Sequence, residues 1–199
     1  MGAAEPAGSP APPKRADARR NYERLLTAAA AAFAEHGADD VSLEEIARRA
    51  GVGIGTLYRH FPARQALLEA VYKDQVDGLD VLGAKLAVSE SPGAALAEWL
   101  RAFVTFGRAK RSLSAALVST MGRDAAFLSA SRAILRQRAE ELLRRAQDAG
   151  EARQDVTADD LLGLTHGVIM VTDADPADAQ RQERMISCVI GGLLVGNRG

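Results

Sequence analysis

Residues 43–61, LEEIARRAGVGIGTLYRHF, place tight limits on what this chain can fold into. Leu43, Ile46, Ala47 and Ala50 fall at i, i+3, i+4 and i+7, the spacing of one buried helical face. Gly51 breaks that helix, Val52 plugs the turn, and a second short helix carries Leu57 and Phe61 one turn apart. Ser42-Leu43-Glu44-Glu45 fits a capping box: the Ser42 hydroxyl can accept from the Glu45 amide while Glu45 reaches back. Val41 and Ile46 stand where a hydrophobic staple would sit. Pro62 cannot continue the hydrogen-bond ladder and suits the opening of a further helix. Helix, glycine turn and helix is the helix-turn-helix layout, whose second helix enters the DNA major groove.

Gly51, Gly53 and Gly55 also invite comparison with a phosphate-cradling loop. That fingerprint needs glycine where Thr56 stands, and it must follow a strand. The preceding EEIARRA is rich in helix formers instead.

Alanine and leucine dominate, and β-branched residues rarely alternate, which favours an all-α protein. The net charge is only −1 over 199 residues, so bulk charge does not point to nucleic acid. Its distribution is mildly polar. Residues 14–64 hold nine Lys/Arg against seven Asp/Glu, and residues 65–199 hold sixteen against eighteen. The single cysteine, Cys188, cannot form an internal disulfide and suits a reducing compartment. Residues 1–13 lack the apolar core of a secretory signal, and no run is long enough to span a membrane. A cytoplasmic protein is expected. His36, His60 and His166 are scattered, and no metal-ligand spacing or nucleophile elbow is present. Neither enzymatic activity, a metal nor a cofactor is therefore expected.

Taken in order, residues 1–16 are Pro-rich and read as an unstructured arm that ends in the basic pair Lys14 and Arg15. A first helix follows, with Tyr22, Leu26, Ala29 and Phe33 as its stripe and His36-Gly37 as its end. Residues 17–64 then form a three-helix head. A long helix over 63–86 reads as a rod into a second domain, residues 65–199. Further helices are expected over 92–108, 113–121 and 125–149, from Thr157-Ala158-Asp159-Asp160 to about 171, and from Asp175-Pro176 to about 195. About nine helices result. The last two carry the mid-helix glycines Gly163, Gly167, Gly191 and Gly192. Such a pair can approach closely and form a four-helix seam with a twofold copy. The candidate seam is Leu161, Leu164, Val168 and Ile169 on one helix, with Met185, Ile186, Val189, Ile190 and Leu193 on the other.

The run from Asn21 to Leu68 resembles the DNA-binding domain of TetR-type (TetR/AcrR) transcriptional regulators. The resemblance lies in Ala50-Gly51-Val52, Thr56-Leu57-Tyr58, His60-Phe61 and Leu67-Leu68. It covers about a quarter of the chain; the remainder is similar in helix order. The resemblance implies a homodimeric repressor of an operator, with a small-molecule effector pocket in the larger domain and a dimer seam on the last two helices. An alternative is a helical ligand-binding or adaptor protein without specific DNA binding.

The candidate DNA contacts follow from residue chemistry and from this resemblance. Thr56, Tyr58 and His60 carry groups suited to phosphate oxygens. Arg20 and Arg64 add charge, and Asn21 resembles a phosphate contact. Arg64 stands where the family commonly has lysine. Gly53 and Gly55 allow close backbone approach, Ile54 suits a thymine methyl, and Arg59 can make a bidentate guanine contact. Glu44 occupies a base-contacting place in some relatives. Gly53-Ile54-Gly55 replaces bulkier polar residues, so shape readout is expected to matter. For the effector pocket the candidates are Trp99, Phe103, Phe106, Met121, Phe127, His166 and Met170, suiting a largely apolar ligand.

Overall fold

A computed structural model describes residues 14–109, 111–121, 126–172 and 179–195. Among them lie nine α-helices and no strand: α1 (Lys14–His36), α2 (Leu43–Ala50), α3 (Ile54–His60), α4 (Arg64–Leu86), α5 (Pro92–Ala109), α6 (Arg111–Met121), α7 (Ala126–Asp148), α8 (Ala158–Thr172) and α9 (Ala179–Leu193). The all-α fold is as expected. None of these helices is long and apolar enough to cross a membrane. Helix α1 begins at Lys14, inside the expected arm. Gly122 and Asp175-Pro176, expected to punctuate helices, lie outside the described residues.

The helix ends follow local chemistry. Gly37, Gly51 and Gly150 close α1, α2 and α7 with φ of 88°, 63° and 71°, the left-handed region that glycine enters at little cost. Ser42 Oγ accepts from the Glu45 amide at 3.1 Å. The reciprocal half of that box does not form, because the Glu45 carboxylate is held by Arg48 and by Arg49 Nε at 2.7 Å. At α8 the box is complete. The Asp160 amide donates to Thr157 Oγ1 at 3.2 Å, and the Thr157 amide donates to Asp160 Oδ2 at 3.0 Å.

One continuous core joins head to body. Leu25, Ile46 and Leu57 are fully buried in the head, and Leu67, Leu68, Val71, Tyr72 and Val76 carry the core along α4. Helices α1 and α4 pack together, α1 also touches α6, and α5 packs against α4, α7, α8 and α9. The buried hydroxyls of Ser131, Thr165 and Thr172 bond back to carbonyls of their own helices, Thr165 to Leu161 at 2.6 Å. Past α9 the chain is tied to the α7–α8 loop. The Arg153 amide donates to the Leu193 carbonyl at 3.0 Å, and the Val195 amide to Glu151 at 2.9 Å.

Candidate DNA-reading head and effector cavity

The turn between α2 and α3 is built around Gly51. Its amide donates to the Arg48 carbonyl, and the Val52 amide to Ala47, both at 3.0 Å. Arg24 on α1 donates to the Gly51 carbonyl at 3.3 Å. A Cβ at Gly51 would meet only the flexible end of the Arg24 side chain, so the left-handed backbone conformation is what selects glycine here.

Helix α3 is anchored by Leu57, and Phe61 closes it; both are buried. Its other face is open. Ile54, Tyr58 and Arg59 are exposed, and Thr56 is half-buried. Arg59 has no hydrogen bond or ion pair among the described residues. Gly53 and Gly55 are exposed, and a Cβ at either would meet nothing within 4 Å. Their own fold therefore does not require them to be small. Glu44 is exposed in the first turn of α2. Arg20 is exposed and paired with Asp17, while Asn21 is half-buried. His60 is half-buried with its ring 5.9 Å from Tyr22, edge to face, and Tyr22 also lies 5.2 Å from Phe61. These ring contacts fix where α3 ends against α1.

Arg64 corrects an expectation. It points inward rather than toward phosphate. Its Nη1 donates to the Val41 carbonyl at 2.7 Å, and Nη2 donates to the Ala38 carbonyl. Its guanidinium lies 6.0 Å from the centre of the Phe33 ring. The carbonyls of the α1–α2 loop lack helical partners, and a half-buried guanidinium satisfies two of them at once. Arg64→Met should therefore lower head stability by about 1.5–3 kcal/mol and leave the salt dependence of DNA binding unchanged. Thermal melts paired with binding at several salt concentrations check this. A salt slope reduced by about one, with stability intact, would restore the phosphate role.

A second cluster shapes the flank of the head. Arg49 bridges Glu35 at 2.6 Å and Glu45 at 2.7 Å, and its guanidinium holds both carboxyls below their usual range. Helix α2 is thereby tied to the end of α1.

The body holds a cavity of about 480 Å³ between α4, α5, α6, α7 and α8. Phe103, Phe106, His166 and Met170 line it, as the sequence suggested. Trp99 and Phe127 do not. Trp99 is fully buried, donating to the Leu79 carbonyl at 3.1 Å, and Phe127 packs on the Tyr72 ring at 5.5 Å. The Met121 side chain lies outside the described residues. The polar lining went unread in the sequence: Tyr72, Ser114, Arg132, Arg136 and Asp159. The arginines, one turn apart on α7, look like an ordinary solvated face when only periodicity is considered. Arg136 grips Asp159 with Nε at 2.8 Å and Nη2 at 3.3 Å, and this contact holds the Asp159 carboxyl below its usual range.

Comparison with known proteins agrees with this layout. Residues 25–71 match the bacterial regulatory proteins of the tetR family, and residues 91–195 match the C-terminal domain of SbtR-like transcriptional regulators. The second match alone covers more than half of the chain. The chain belongs to the TetR family. It is a transcriptional regulator with a DNA-binding helix-turn-helix head, as the resemblance implied. The TetR regulator SCO0520 from Streptomyces coelicolor is 33% identical, with a TM-score of 0.74 over 87% of this chain and 98% of that one. A TetR regulatory protein from Mycobacterium vanbaalenii is 35% identical, with a TM-score of 0.70 over 92% and 100%. An HTH-type transcriptional regulator of Staphylococcus aureus is 38% identical over 63 residues, 32% of this chain. That matched stretch spans about a third of the Staphylococcus protein, 34% of its length.

The candidate seam residues of this TetR-family chain lie mostly within its own core. Leu161, Val168, Ile169, Ile186, Ile190 and Leu193 are buried in the chain's own core, and Met185 and Val189 are half-buried against it. Of the nine candidates only Leu164 is open, at 56% exposure. The most apolar stripe of each helix faces inward because the subunit's own core claims it first. A second stripe is left over: Gly163, Leu164, Gly167 and Val171 on α8, with Cys188, Gly191, Gly192 and Val195 on and after α9. A Cβ at any of these four glycines would meet nothing within 4 Å.

Proposed function

We propose that the protein is a cytoplasmic homodimeric repressor that leaves a near-palindromic operator when a small, largely apolar effector fills the cavity between α4 and α8. The observation that carries this reading is the course of α4. The helix starts against the head, buries Leu67 and Leu68 there, and places Tyr72 in the cavity wall one turn later. A ligand that moves Tyr72 acts on the same rigid element that seats the head. Ligand binding favours an arrangement in which the two heads are wrongly spaced for the operator. A tenfold loss of DNA affinity needs about 1.4 kcal/mol of coupling.

Dimerisation is supported by the glycine-bearing stripe of α8 and α9, which leaves Leu164 and Val171 exposed. Two heads on a twofold axis call for half-sites about 34–36 Å apart. Readout rests on the open face of α3. Gly53 and Gly55 admit close backbone approach, Arg59 reaches base edges, and Tyr58 with Thr56 takes phosphates. The protein acts by binding rather than turnover.

Selection from randomised duplexes should enrich a near-palindrome. Its affinity should fall with a log–log salt slope of about −5, for roughly three phosphates per head. Failure to enrich any palindrome would favour a helical adaptor that has lost specific DNA binding.

A further inference from the structure

Much of the cavity wall is apolar: Phe103, Val118, Leu128, Leu162 and Ile169 line it. The Arg136–Asp159 pair joins two side chains that are each more than half exposed, so it belongs to the solvent side of the cavity. On the α6 side the lining holds Ser114, and its hydroxyl oxygen is buried with no hydrogen-bond partner.

Neighbouring hydroxyls behave differently. On α6 itself Ser119 and Thr120 both donate to the Ala116 carbonyl at 2.8 Å. On α7 Ser131 donates to Phe127 at 3.0 Å. Back-bonding of this kind is how a helical hydroxyl satisfies itself away from water. Ser114 makes no such bond, and a buried hydroxyl without a partner carries a standing cost. Its side chain can turn between staggered rotamers, and it forfeits no hydrogen bond in turning. An acceptor placed in the cavity draws the hydroxyl to itself and removes the cost.

We propose that the cavity takes a carbonyl-bearing apolar molecule: Ser114 donates to the carbonyl oxygen from the α6 wall, and the apolar body lies against Phe103, Leu128 and Ile169. This rests on the ligand-responsive reading above and narrows it to a ligand with an acceptor at that wall. A carbonyl suits Ser114 because it takes the hydroxyl proton and brings no donor of its own that would need a further partner.

The chain carries its own reporter. Trp99 is its only tryptophan, and its ring lies 5.4 Å from Phe103, which lines the cavity. Full-length protein is titrated, by Trp99 emission, with methyl hexyl ketone and with the isosteric alkene in which a methylidene group replaces the carbonyl oxygen. In a cavity without an anchor the alkene binds tighter, because the ketone leaves its hydrogen bonds to water behind. Here the ketone should bind at least as tightly as the alkene. Ser114→Ala should weaken the ketone about fivefold and leave the alkene unchanged. Without ligand, Ser114→Ala should melt no lower than the parent, since it deletes a polar group that bonds nothing. A ketone affinity that survives Ser114→Ala overturns the proposal, as does an equal loss for both compounds. If the alkene binds and releases the operator while Ser114→Ala leaves the ketone unaffected, the anchor falls and the ligand-responsive reading stands. If neither compound binds, both fall.

Discussion

Leu164→Glu is expected to convert the proposed dimer into a monomer and to weaken operator binding about a hundredfold or more. Leu164 is 56% exposed, whereas Leu161, Val168 and Ile169 of the same helix are buried. Gly163 and Gly167 flank it, with none of the described residues within 4 Å of a Cβ at either. Across a twofold axis the same patch meets itself, so one substitution introduces two carboxylates into one apolar seam. Burying an unpaired carboxylate costs several kcal/mol, and repulsion between the two copies adds to that. DNA affinity follows, because linked heads bind their second half-site at an effective concentration of order mM. Sedimentation at micromolar protein, with binding to one and to two half-sites, checks both parts. Half-site binding should be nearly unchanged, since Leu164 is remote from α3. A variant that stays dimeric would place the seam on another surface.

The exposed stripe of α8 and α9 was only partly legible in the sequence, and the reason is physical. Hydrophobic periodicity finds the stripe with the largest apolar payload. In α8 and α9 this stripe faces the subunit's own α5, so Ile186 and Leu161 were drawn into the expected seam although both are core. The exposed stripe is marked by small residues. The mid-helix glycines Gly163, Gly167, Gly191 and Gly192 all fall on that exposed stripe rather than on the buried one. The head was far more readable because its boundaries are local. Ser42, Gly37 and Gly51 act within one turn of themselves, and their geometry needs no knowledge of the rest of the chain.

Long-range polar contacts were the least readable. Arg64 has the charge and position of a phosphate contact, yet the unsatisfied carbonyls of Ala38 and Val41 take its guanidinium. Nothing near Arg64 in sequence announces those carbonyls. Arg132 and Arg136 likewise gain their meaning only when α8 brings Asp159 and His166 opposite α7. Aromatic side chains were over-assigned to the cavity for the converse reason. A large ring is as useful for joining helices as for lining a void, and composition does not distinguish the two uses.

Trp99 is such a joint, and Trp99→Ala is expected to cost about 3–5 kcal/mol. The indole is fully buried and lies against Phe103. Its N–H donates to the Leu79 carbonyl of α4. Helix α4 makes room for it: a Cβ at Gly83 would stand 2.9 Å from Trp99 Nε1 and would overlap the Arg138 side chain. Arg138 in turn ties α7 to Asp80 of α4 at 2.9 Å. The indole therefore sits where α4, α5 and α7 converge, and removing it opens a void that three helices braced from several sides cannot readily fill. For a chain of this size the loss corresponds to a melting temperature lower by about 10 °C. Trp99→Phe separates packing from hydrogen bonding. It keeps a ring against Phe103 and gives up the N–H···O bond, so its hydrogen-bonding loss should be nearer 1 kcal/mol. Thermal melts of the two variants should therefore differ severalfold in their displacement. Equal displacements would assign the joint to the hydrogen bond. A Trp99→Ala variant that melts like the parent would mean that α4 is held to the body without this residue, and the route from cavity wall to head would then have to run through Tyr72 alone.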